Sequence, residues 1–106
     1  MSGQASLHIE DGGMKVSGEL NFSSVIPLQL QGSQWLLNEA PQACYVDLSE
    51  VTHANSAGTT LLLSWLRSAK AAGKQLTIRN MPAMLTSLME LIGLGSLLDD
   101  LDVLEK

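Results

Sequence analysis

Apolar and polar residues alternate from Ser6 to Glu10, with Leu7 and Ile9 apolar, and again from Met14 to Gly18. A period of two marks a strand with one buried face. Between the runs, Asp11-Gly12-Gly13 is a turn signal, because glycine tolerates positive φ. The two runs therefore predict a hairpin. A helix is expected next, from about Ser24 to Asn38, with Val25, Leu28, Leu36 and Leu37 among its apolar positions. Asn21-Phe22-Ser23-Ser24 supplies several N-cap candidates. Pro27 is acceptable only in a first helical turn, Gly32 weakens the middle, and Pro41 closes the region.

The segment Ala43-Cys44-Tyr45-Val46-Asp47-Leu48 is β-prone and mostly apolar, which reads as an interior strand buried on both faces. A second helix is expected from about Ala57 to Ala72, stopped by Gly73. Gln75-Leu76-Thr77-Ile78-Arg79 alternates as a strand. A third helix starts at Asn80-Met81-Pro82, with Asn80 or Met81 near the cap, and runs through Leu85, Leu88, Met89 and Leu91 to Gly93. Leu97 to Leu101 reads as a short final element. There is no internal repeat, linker or low-complexity stretch. Strands alternating with helices predict one α/β domain over residues 1–106, with a mostly parallel sheet and helices mainly on one face.

At about 100° per residue, Gly58, Leu61, Leu62, Trp65, Ala69 and Ala72 share one face of the second helix. They form the expected core stripe. Thr60, Ser64, Arg67 and Ala71 lie opposite. Leu63, with Thr59, Leu66 and Lys70, falls on a flank between the two. That flank is either covered by the third helix or, joined to Ser56, left as a small mixed patch suited to a partner protein.

Composition narrows the function. The 106 residues are 45% hydrophobic, 16% charged and 4% aromatic. The core must therefore be mainly aliphatic. The net charge of −5 disfavours nucleic acid and anionic lipid surfaces, which are bound through Lys and Arg. The single cysteine, Cys44, favours a reducing compartment and reads as an inert core thiol. No signal peptide and no bilayer-spanning segment is expected. Together these features predict a cytoplasmic location.

Catalytic readings find little support. His8 and His53 lack metal-spaced neighbours, so no metal site is predicted. Asn55-Ser56-Ala57-Gly58 lacks the first glycine of a nucleophile elbow. His53 stands only three residues from Ser56, on the wrong side of a tight junction. No phosphate-cradling glycine loop is present. No cofactor is expected, and the chain is not expected to be an enzyme. Ser56 itself could cap the second helix. Asp47, expected at the end of a central parallel strand, has two open readings. It could be a functional group at the sheet's edge, or it could accept backbone N–H groups from the following loop.

Val46-Asp47-Leu48-Ser49-Glu50-Val51, then Asn55-Ser56-Ala57-Gly58 and a Leu-rich helix, resembles the STAS domain family. Ser17-Gly18-Glu19-Leu20, Ala72-Gly73-Lys74 before Leu76-Thr77-Ile78, and Leu91-Ile92-Gly93-Leu94 agree with it in the same order. The resemblance implies a mixed sheet of four or five strands with helices on one side, and protein binding without catalysis. The Ser-Ala-Gly junction followed by Leu-Leu-Leu-Ser-Trp-Leu-Arg-Ser-Ala is most similar to the STAS subunit of the Mla phospholipid-transport ABC system. That subunit sits at the cytoplasmic side of the inner membrane and binds the ATPase subunit. The resemblance would place Ser56, Ala57, Thr59, Thr60, Leu63 and Arg67 at the partner, with Asp47, Asn55 and Gly58 supporting the loop. It would leave lipid and ATP to other subunits. The alternative branch is the anti-sigma factor antagonists, where the serine matching Ser56 is phosphorylated by a partner kinase. The family often carries an acidic residue where this chain has Asn55. That departure weakens the phosphate-switch reading and leaves docking untouched.

Overall fold

The computed structural model describes residues 5–91 and the backbone of 104–105. Its elements follow the order β1 (Ser6–Glu10), β2 (Gly13–Leu20), α1 (Val25–Asn38), β3 (Ala43–Ala54), α2 (Ser56–Ala71), β4 (Gln75–Arg79), α3 (Ala83–Leu91) and β5 (Leu104–Glu105). The five strands form one sheet in sequence order. Strands β1 and β2 make the expected antiparallel hairpin, and every later pairing is parallel. The fold is α/β with a mixed sheet. The expected segment Leu97 to Leu101 and the stop at Gly93 lie outside the described residues.

The sheet buries one face. Met14, Val16 and Leu20 of β2, Cys44, Val46 and Leu48 of β3, and Leu76 and Ile78 of β4 all belong to the core. Their neighbours Lys15, Tyr45, Asp47, Thr77 and Arg79 are only partly covered. The expectation that β3 is buried on both faces is therefore corrected. Its apolar character comes from the helix side, while Tyr45 and Asp47 point away from it. Tyr45 instead donates its hydroxyl proton to Glu10, and the Arg79 guanidinium lies 3.8 Å above its ring. Cys44 sits on the core side at 4% exposure. Burial pushes its thiol pKa up, and the Lys74 cation only partly opposes this. The inert-thiol reading fits this environment.

Helix α1 begins at a cap built one turn upstream. The Asn21 side chain accepts hydrogen bonds from the Ser23 and Ser24 amides at 3.0 and 2.9 Å. Ser24 Oγ donates to the Glu19 carbonyl at 2.7 Å. Val25, Leu28, Trp35 and Leu36 face the core, but Leu37 does not and is exposed. Gly32 is where α1 meets α2, because a Cβ there would overlap the Trp65 indole ring. At the end of α2, Gly73 takes φ +71. The Lys74 and Gly73 amides then reach the Ala69 and Lys70 carbonyls at 2.8 and 3.1 Å, a Schellman closure.

The third helix starts later than expected, at Ala83, with the Pro82 carbonyl accepting from Leu85 and Thr86. Asn80 is not its cap. It adopts φ +56, a conformation asparagine tolerates better than most residues, and it points its amide at Asp47. Leu85 and Met89 are buried, Leu88 is half-buried, and Leu91 is exposed.

Candidate functional site

The strand-to-helix junction at Asn55 organises the exposed end of α2. The Asn55 side chain accepts the Ala57 amide at 2.8 Å, and its carbonyl accepts the Gly58 amide at 2.9 Å. Asn55 is thus the N-cap, and its extended backbone matches that role. This corrects the reading of Ser56 as the cap. Ser56 is the first helical residue, and its side chain is exposed. Its carbonyl accepts the Thr59 hydroxyl at 2.6 Å. Gly58 is buried where β2, β3 and α3 converge, with Leu20, Ala54 and Leu85 around it.

The sequence-derived contact residues separate by exposure. Ser56, Thr60 and Arg67 face solvent, and Leu63 is half-buried. Ala57 and Thr59 are buried, at 1% and 3% exposure, so Ala57 supports the surface from beneath. Leu66, placed on the flank by rotation alone, belongs to the core. Helix α1, rather than α3, approaches the Leu63 flank. Between them lies a cleft of about 470 Å³. Thr59, Thr60, Leu63, Ser64 and Arg67 line its α2 side, and Val25, Ile26 and Gln29 line its α1 side.

A polar clamp holds the cleft's two walls. Gln29 Nε2 donates to Ser64 Oγ at 2.9 Å, and the Ser33 and Ser68 hydroxyls meet at 3.1 Å. Beneath them, Trp65 Nε1 donates to the Gln29 carbonyl at 3.3 Å. These bonds fix the spacing of α1 and α2 before anything enters the cleft.

Sequence reasoning missed the α1 half. Its signal was present. Phe22, Ile26 and Leu30 recur every fourth residue, away from the core stripe, and are 65%, 67% and 59% exposed. Ile26 and Leu30 give α1 an exposed apolar side besides its core stripe, and Phe22 precedes the helix.

Asp47 stands apart. It lies within β3, which continues to Ala54, and it projects from the sheet face opposite the helices. It therefore does not share the cleft with Ser56. Its carboxylate accepts from the Ser49 amide at 2.9 Å and from Asn80 Nδ2 at 3.0 Å. Partial burial would raise its pKa. The hydrogen bonds from Asn80 and Ser49, helped by the Lys15 cation, outweigh that and hold it below the ordinary carboxylate value. The backbone N–H it accepts belongs to Ser49 within β3 and not to a following loop, so the reading of Asp47 as an acceptor for that loop is corrected. His8 and His53 are exposed. Among the described residues no cluster of His, Cys, Asp and Glu could hold a metal ion, and no helix is long and apolar enough to cross a membrane.

Comparison with known proteins agrees with this architecture. No curated protein sequence matches the chain. Solved structures match it in fold. The phosphorylated form of the Bacillus cell fate determinant SpoIIAA superposes with a TM-score of 0.68 at 16% identity, covering 95% of this chain and 88% of that one. An anti-sigma factor antagonist from Mycobacterium paratuberculosis superposes with a TM-score of 0.65 at 22% identity, covering 92% and 89%. A sulfate transporter family protein from Wolinella succinogenes gives 0.59 at 16% identity, covering 92% and 79%. The family model for the MlaB STAS domain matches residues 4–99, nearly the whole length. With the capped Ser-Ala-Gly junction, the helices on one sheet face and that match together, the chain belongs to the MlaB-type STAS domain family.

Proposed function

We propose that this chain is a non-catalytic accessory subunit that docks on the ATPase of an Mla-type ABC transporter and supports phospholipid transport for outer-membrane lipid asymmetry. The observation that carries the reading is the pre-formed surface running from exposed Ser56 along Thr60, Leu63 and Arg67 into the α1–α2 cleft. A clamped, mostly apolar cleft beside a polar helix end is a fit surface for protein docking, with an apolar centre and a polar rim. Membership of the MlaB-type family supports the choice of partner. In this reading the subunit sits at the cytoplasmic face of the inner membrane through its partner, and carries neither lipid nor nucleotide.

Affinity purification from native membranes tests the partner. The ABC ATPase is expected with the wild-type chain and not with Ser56→Asp, whose melting temperature stays near wild type. Recovery of an anti-sigma kinase without any ABC ATPase would overturn the assignment. That kinase is the partner in the second reading, an anti-sigma factor antagonist switched by phosphorylation of Ser56. The exposure of Ser56 at a helix start favours keeping it in view, since a phosphate there is electrostatically tolerated by the monomer while adding about −1.5 to −2 charges to an interface. Intact mass after incubation with the kinase decides it: no added phosphate counts against the switch.

A further inference from the structure

Charge is distributed unevenly over the molecule. Helix α1 has no charged residue, and α2 has only Arg67 and Lys70. All 11 acidic residues therefore lie outside these two helices, although the chain as a whole carries −5. Arg67 stands at the rim of the cleft and is exposed. Among the described residues, no carboxylate pairs with it. Apolar Ile26 and Leu63 face the same cleft, with Phe22 and Leu30 continuing the exposed stripe beside Ile26.

We propose that this cleft seats an amphipathic helix of the partner protein, whose apolar face covers Ile26 and Leu63 and whose carboxylate pairs with Arg67. The proposal rests on the reading that the partner docks on this face, and adds the chemistry of what enters it. Concavity argues for a helix or chain segment, since a flat bilayer cannot fill a cleft whose walls the Gln29–Ser64 and Ser33–Ser68 bonds keep at a fixed spacing. A second copy is disfavoured by symmetry. A two-fold contact through this face would offer each Arg67 only the α1 and α2 of the other copy, which carry no carboxylate. An acidic amphipathic helix satisfies both features, with apolar anchors in the cleft and opposite charge at its rim.

Photo-crosslinking from the full-length chain in its native cells tests this. A benzoylphenylalanine is placed at Ile26, and at Lys15 on the opposite sheet face as a control. The Ile26 position is expected to capture one protein segment with apolar residues at helical spacing and an Asp or Glu within a turn of them; Lys15 is not. Arg67→Glu should lower the yield by about tenfold or more while leaving the melting temperature near wild type. Lysine in place of the partner's carboxylate should restore it. Crosslinks to lipid, to a second copy, or to residues 92–103 of the same chain would each overturn the proposal. So would a captured segment without a carboxylate, or an unchanged yield from Arg67→Glu. The two readings fail separately. A captured helix from a protein other than the ABC ATPase sinks the transporter assignment and leaves the cleft chemistry standing. Recovery of the ATPase that is insensitive to Arg67→Glu does the reverse.

Discussion

Asn55 and Ser56 divide between them the tasks that one residue was expected to perform. Asn55 closes the first turn of α2 by accepting the Ala57 amide, and Ser56 is left with an exposed side chain. The two substitutions should therefore differ. Asn55→Ala should cost about 1 kcal/mol in urea-monitored stability, because the helix start loses its side-chain acceptor. Asn55→Asp should be close to neutral, since aspartate caps equally well. Ser56→Ala should change stability by only a few tenths of a kcal/mol. A larger loss from Ser56→Ala than from Asn55→Ala would refute the division. This also alters the meaning of the missing acidic residue. Asparagine keeps the cap intact, so the departure bears on charge next to Ser56 and leaves the fold of the junction alone.

At the scale of elements, the contact between α1 and α2 sets the cleft. Gly32 allows the helices to approach, and the Trp65 ring occupies the space a side chain would take. Glycine inside a helix normally costs about 1 kcal/mol relative to alanine. Here the helix gains by it. Gly32→Ala should destabilise the protein by about 1–3 kcal/mol despite its better helix propensity. The rigid indole cannot yield as a flexible chain end would. In the background of Trp65→Leu the same change should cost markedly less, because the two positions share one contact. Chemical denaturation of the four proteins in the cycle measures this. Additive losses would show that Gly32 is needed for some reason other than Trp65.

Over the whole molecule, the sheet separates two environments. One face packs the aliphatic core against the helices. The other carries a polar network in which Asp47 ties Ser49 of β3 to Asn80 beyond β4. That network gives global stability a pH dependence with a definite sign. The Asp47 pKa is depressed in the folded state below the ordinary carboxylate value. The unfolded chain therefore takes up the proton first as pH falls. The stabilisation is fully present above the unfolded pKa and disappears as pH drops through the lower folded value. Asp47→Asn should remove this part of the acid dependence, so its stability should fall less steeply than wild type below about pH 4. Parallel denaturation curves at each pH provide the check, and identical acid slopes would contradict the assignment.

Period and punctuation along the chain were enough to locate the hairpin, α1, α2, β4 and the small-residue junction, because these depend on local alternation, caps and breakers. Gly73 could be read as a helix stop because its left-handed backbone is a local requirement. The junction's family pattern was legible for the same reason: its residues are adjacent in sequence. Long-range packing decided the rest. Rotation about the α2 axis placed Thr59 and Leu66 on a flank, but a neighbouring helix determines which flank is covered, so both became buried. Leu37, one of the apolar positions of the expected helix, is exposed, because only one side of α1 reaches the sheet. Asp47 lay close in sequence to the serine yet emerged on the opposite face, since strand residues alternate sides. The cleft could not be seen in either helix alone. It exists because Gly32 brings α1 against Trp65, and the sequence contains each wall without stating the distance between them.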